Sequence, residues 1–311
     1  PTFGTDFAAP EDEVPGEGAT PRAADAREGA PAAPSRQAGE DAAPELADYI
    51  ARLHADHAVA AAEVLAATRS AGNFGKPVFH FGLDVRGGAW KKLADADGDY
   101  QEFAVALQLV DRAGAVAAQE LELFCDAVQG AAADLGMTAD CPPIQAALDR
   151  ARQLDALCAE ADMLVGINVI PANGAAIPAT KLRALAEAAG MKLAGDGAFY
   201  ARNDDGTVRF SLCNLDPVPF SPENIKSLSS HGVTLLLDVP KTANGARVFD
   251  EMAVLARQMA NALGGEMVDD NRRPLTDAGM EGIREQLAGI YRRMEEMRVP
   301  AGGELALRLF S

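Results

Sequence analysis

The chain has 311 residues, a formal net charge of −18 and a pI near 4.6. That length suggests about two domains of ~150 residues. The acid excess speaks against nucleic-acid phosphates as a partner, and no apolar run reaches the ~18 residues of a membrane span.

Residues 1–44 are Pro, Ala, Gly, Asp and Glu with few large apolar side chains, which reads as a disordered acidic linker. Order is expected to begin in a first unit, 45–161, with a strand at 47–54 and an Ala-rich helix at 59–70 stopped at Gly72–Asn73. Runs 77–85 and 89–94 predict a hairpin around Arg86, Gly87 and Gly88. A strand at 100–110, a helix at 116–135 ended by Gly136, and a helix at 142–161 complete this unit.

The pattern then restarts over 162–299, with a strand at 163–170 and a helix at 178–189 stopped by Gly190. A hairpin joins 197–203 to 208–215 across Asn203, Asp204, Asp205 and Gly206, a strong turn signal. A strand at 233–239, a helix at 246–263, a short strand at 265–269 and a helix at 277–297 capped by Thr276 or Asp277 follow. Both halves read strand, helix, hairpin, strand, long helix, which predicts an internal duplication. The fold class expected is α+β: tandem split β-α-β units, each an antiparallel sheet with helices on one face. The helix at 142–161 joins the units without a Gly/Ser linker, so they should form one rigid body.

The chemical motifs are weak. Asp95, Asp97 and Asp99 begin like a calcium loop, but Tyr100 and Ala106 stand where the loop wants Gly and a bidentate Glu. Gly72 to Lys76 lacks the phosphate-loop spacing. His54 and His57 have no ligand partners in register, and Asp269, Asp270, Arg272 and Arg273 read as a turn. Cys125, Cys141, Cys158 and Cys213 are scattered without a CxxC pair and read as free thiols. No catalytic constellation, metal set or cofactor motif is expected, and the chain reads as a binding protein.

The stretch 208–240 organises the second unit. In its second strand Val233, Leu235, Leu237 and Val239 face one way, and Thr234, Leu236 and Asp238 the other. In its first strand Val208, Phe210 and Leu212 oppose Arg209, Ser211 and Cys213. Leu215 and Leu236 fall among small polar residues on the second face, where a merely solvated sheet would not need them.

The blocks FSLCNL (210–215), GVTLLLDVP (232–240) and LGGEMVDDNRRPLT (263–276), with INVIPANG (167–174), resemble the C-terminal domain of the bacterial cell-division protein ZipA in order and spacing. The likeness covers 162–297, and 46–161 looks like a diverged second copy. The resemblance implies a non-enzymatic divisome protein. It would bind the C-terminal tail peptide of the division GTPase FtsZ in a shallow apolar groove on the open sheet face. It also implies no nucleic-acid partner, no cofactor, and a place on the cytoplasmic side of the inner membrane, held by an anchor upstream of this chain. Carried over strand by strand, the groove falls on Val169, Gly197, Phe199, Cys213, Leu215, Thr234 and Leu236. Gly197 and Leu236 depart from the family, which tends to have a large side chain and an aromatic there. The alternative is an interaction module whose sheet faces bury each other.

The last residues, 300–311, alternate Leu305, Leu307 and Leu309 against Ala306, Arg308 and Phe310, which predicts an added edge strand on the first unit's sheet. The competing reading is a resident pseudo-ligand lying in an apolar groove.

Overall fold

The computed structural model describes residues 46–84, 87–93 and 97–311. The linker expected at 1–44, the turn at Arg86 and Asp95 of the calcium-like run lie outside them.

In the first half β1 (Asp48–Ala60), α1 (Ala61–Ser70), β2 (Val78–Asp84), β3 (Ala89–Lys92), β4 (Asp99–Gln108), the small hairpin β5 (Val110–Asp111) and β6 (Gly114–Ala115), α2 (Ala118–Asp134), β7 (Thr138–Asp140) and α3 (Ile144–Ala161) follow in order. In the second half the order is β8 (Leu164–Pro171), β9 (Ile177–Pro178), α4 (Ala179–Ala188), β10 (Lys192–Leu193), β11 (Phe199–Arg202), β12 (Val208–Asn214), β13 (Ser229–Ser230), β14 (Val233–Asp238), α5 (Gly245–Leu263), β15 (Gly265–Val268), α6 (Asp277–Glu296) and α7 (Glu304–Leu309).

Two antiparallel sheets result, ordered β3-β2-β4-β1-β7 and β10-β11-β12-β14-β8-β15. In each half the opening strand (β1, β8) lies between the strand after the hairpin (β4, β14) and the short last strand (β7, β15). The hairpins join differently. The first-formed strand β2 borders β4, whereas the second-formed strand β12 borders β14. The shared three-strand order is what a duplicated unit would have, and the exchanged hairpin departs from it.

One face of each sheet is committed to helices. In β1, Tyr49, Ala51, Leu53 and Ala55 are buried, and in β14 Val233, Leu235 and Leu237 are fully buried. Helix α5 covers the second sheet because Val248, Phe249, Met252, Ala256, Met259 and Ala260 form one stripe at helical spacing. It stops where Gly264 takes the left-handed conformation at φ 64°. Thr276 caps α6 by accepting a hydrogen bond from the Gly279 N–H at 3.1 Å. Helix α3 touches both β1 and α6, so side chains of the two halves share one contiguous core. The described residues from 46 onward belong to a single compact unit.

The other face of the first sheet is closed by its own side chains. Ile50, Phe81, Ala104 and Ala106 are buried there under Phe79 and Trp90. Cations lie over those rings: Lys92 at 4.7 Å and Arg308 at 4.2 Å from the Phe79 centroid, and Arg52 at 5.7 Å from that of Trp90.

Two expectations are corrected here. The first strand runs on to Ala60 through a register shift between His54 and Val59, so the helix begins at Ala61. The C-terminal segment is a helix, α7, and not an edge strand. Ala306, Leu309 and Phe310 are fully buried. Their i, i+3, i+4 spacing puts them on one helical face, whereas alternation would have split them. Packing against the core outweighs a pattern shared by both periods. The Leu307 N–H donates to Gly303 O at 2.9 Å and that of Phe310 to Ala306 O at 3.0 Å, so the turn satisfies its own backbone.

Candidate functional site

The second sheet carries a groove on the face away from α5. Register builds it pair by pair: Ser211 opposes Leu236, Cys213 opposes Thr234, Leu236 opposes Gly166, and Asp238 opposes Leu164. Opposed residues share a face, so these side chains form one floor. Thr234, Leu236 and Asp238 are half-buried, in contrast to their fully buried neighbours on β14. The groove encloses about 930 Å³, and its apolar lining includes Leu164, Val208, Leu236 and Leu307. It stays open to solvent, since Leu164 is 61% and Leu307 42% exposed.

Polar groups bound the groove. At one side Thr234 Oγ1 donates to Asn168 Oδ1 at 2.6 Å, and Asn168 Nδ2 donates to Asp270 Oδ1 at 3.0 Å. At the opposite rim the Tyr200 hydroxyl donates to Asp196. That bond holds Asp196 below the usual carboxylate range and pushes the Tyr200 phenol up to about 12. Burial raises Asp238, with Lys241 and Arg112 pulling the other way. Burial also raises the Cys213 thiol, which keeps it neutral and apolar at physiological pH. The arrangement offers aliphatic contact edged by charge. Among the described residues no cluster of three or more His, Cys, Asp or Glu could hold a metal. Among them, too, no helix is long and apolar enough to cross a membrane.

Of the seven residues expected at the site, Cys213, Thr234 and Leu236 lie on this face. Leu215 is half-buried beyond the end of β12, its N–H bonded to Gly232 O at 3.2 Å. Three placements are corrected. Val169 is fully buried and opposes Val233 on the helix side. Phe199 is also fully buried, opposing Leu212 and meeting Phe220 edge-on at 5.5 Å. Gly197 is a buried turn residue at φ 86°, where an added Cβ would come within 2.4 Å of Pro219 Cβ. A large side chain has no room there because the 219–220 loop crosses directly over it.

The cause at Val169 and Phe199 is parity, since a shift of one residue moves a strand side chain to the opposite face. Their neighbours Asn168 and Tyr200 take the open-face positions, opposite Thr234 and Ser211, and Tyr200 lines the groove. Alternation in LVGINVIP carried the signal for Leu164, Gly166 and Asn168. Val208 had no such signal. The register shift between Ala201 and Arg202 brings it opposite Arg202, at the groove, instead of in line with Phe210. The turn at 269–273 is as expected, with Asp269 Oδ1 accepting from the N–H groups of Asn271 and Arg273 at 2.8 and 2.7 Å.

Residues 163–286 match the family model described as ZipA, C-terminal FtsZ-binding domain. Residues 163–286 thus form a domain similar to that of ZipA. Relatives named cell division protein ZipA agree. That of Marinobacter nauticus is 31% identical over 144 residues, 45% of this chain and 42% of the relative. That of Ectopseudomonas mendocina is 34% identical over 90 residues, 29% of this chain and 33% of the relative. That of Colwellia psychrerythraea is 30% identical over 112 residues, 35% of this chain and 29% of the relative. The chain thus spans less than half the length of these relatives. The groove lies on the ZipA-like domain, while β1 to α3 and α7 fall outside its matched residues.

Proposed function

We propose that the open face of the ZipA-like domain binds the C-terminal tail peptide of FtsZ. The chain would act without chemistry of its own, tying FtsZ to the inner membrane at the division site through an anchor upstream. The observation that carries this reading is an open aliphatic groove on a domain of an FtsZ-binding family. The contact residues proposed are Leu236, Cys213, Thr234 and Leu215, joined by Leu164 and Tyr200.

The mechanism is physical. A tail that folds as it binds lays its apolar side chains on the floor, and ordering the tail costs ~2–5 kcal/mol of the gross interaction. Single contacts are therefore modest, and many tails on one polymer meeting many anchored receptors supply avidity. Fluorescence anisotropy with the tail peptide of FtsZ from the same bacterium tests it. Leu236→Asp should weaken binding by ~30-fold, about 2 kcal/mol, with the melting temperature unchanged. A wild-type chain that ignores the peptide at millimolar concentration would end this reading.

A further inference from the structure

The groove is not built by the ZipA-like match alone. Gly302 and Leu307 line it, yet both lie beyond residue 286, where the match ends. Helix α7 reaches the groove from a fixed base. Its Ala306, Leu309 and Phe310 are buried in the core. Arg308 binds the fully buried Asp48 of β1 through contacts of 2.6 and 3.3 Å, donates to Gln108 Oε1 at 3.2 Å, and stacks on Phe79. The chain enters the helix through Gly302 at φ 72°, whose N–H donates to Pro240 O at 2.9 Å. An added Cβ at Gly302 would lie 2.6 Å from Ala243 N. Within this anchored turn Leu307 is left 42% exposed over the groove. Helix formation asks nothing apolar of that position, and the core does not use it.

We propose that Leu307 is a partner-contacting residue, and that the first half of the chain holds it in place through Asp48 and Arg308. This inference rests on the FtsZ-tail reading. The bound tail would place an apolar side chain between the sheet floor at Leu236 and the wall at Leu307. Because the wall is anchored before the peptide arrives, little further ordering is needed to use it. The unit formed by β1 to α3 then has a role in binding without touching the peptide: Asp48 and Arg308 are positioning residues, 260 positions apart in the chain.

The test uses the full chain and the same FtsZ tail peptide, with wild type and Leu236→Asp as references. Leu307→Asp should weaken binding about tenfold at unchanged melting temperature. Asp48→Asn with Arg308→Gln, which removes both buried charges together, should weaken it several-fold and speed hydrogen exchange over 302–310. Arg308→Lys, which keeps the charge opposite Asp48, should recover part of the affinity. Unchanged affinity in Leu307→Asp, with Leu236→Asp still impaired, overturns the wall and leaves the groove reading intact. Tighter binding overturns it too, since Leu307 would then be an obstruction. Failure of the wild type to bind overturns both readings.

Discussion

The two sheets obey one rule on their helical faces and diverge on their open ones. On the first sheet Phe79 and Trp90 lie over Ile50, Phe81, Ala104 and Ala106, and stacked cations close the face. On the second, Ser211, Cys213, Thr234 and Leu236 are too small or too short to cover one another, and a groove remains. The size of the side chains thus decides whether a sheet's second face closes on itself or leaves a groove. The join between them is also asymmetric: Arg308 is spent on the first face, while its neighbour Leu307 is presented to the second.

The sharpest way to break the comparison is within β14, where adjacent leucines have opposite fates. Leu235→Asp buries a carboxylate in the helix-side core and should unfold the chain, a loss above ~4 kcal/mol in urea denaturation. Leu236→Asp should leave that denaturation curve in place. Equal loss in both variants would make Leu236 core and remove the groove.

A second measurement compares one carboxylate on each face. Asp48 is fully buried and paired with Arg308, whereas the Asp238 side chain is 33% exposed beside Lys241. Asp48→Ala strands the Arg308 guanidinium and should cost about 3 kcal/mol. Asp238→Ala should cost less than ~1 kcal/mol. A loss at Asp48 no larger than that at Asp238 would show that the latch carries no energy.

The pH dependence reports on the first half. His80, on β2, is buried and shares a 2.7 Å hydrogen bond with Thr68 Oγ1. Burial first, and the Arg69 charge second, push its pKa down from 6.5 to about 4. The unfolded chain therefore binds the extra proton between those values. The stability involved is fully present above pH 6.5 and is lost as pH falls toward 4, up to about 3 kcal/mol. His80→Gln should flatten the stability profile across that window. A slope that survives His80→Gln assigns the acid sensitivity elsewhere.

The smallest effect expected is at the cation stack. Lys92 is exposed over Phe79, so Lys92→Ala should cost ~0.5–1 kcal/mol in the same denaturation assay. A loss of several kcal/mol would mean that the stacked cations, more than the rings, close the first face.

Much of this was legible in the chain itself. Period-2 alternation separated Leu235 from Leu236, and helical spacing with Gly264 and Thr276 marked α5 and the start of α6. Both are local: a side chain's face follows from backbone geometry, and a cap from the groups a helix end leaves unpaired. The three blocks at 210–215, 232–240 and 263–276 pointed to the ZipA-like domain that the family match then covered. What the sequence left undecided depends on register and on distant neighbours. Carry-over by strand put Val169 and Phe199 one residue out of phase, and only the pairing with Val233 and Leu212 shows which face each takes. Val208 changes face at a register shift with no residue signature of its own. The last turn was written in a pattern that serves strand and helix alike. Helix won because Ala306, Leu309 and Phe310 fit together into a core already built by both halves, and because Asp48, 260 positions earlier, was waiting for Arg308.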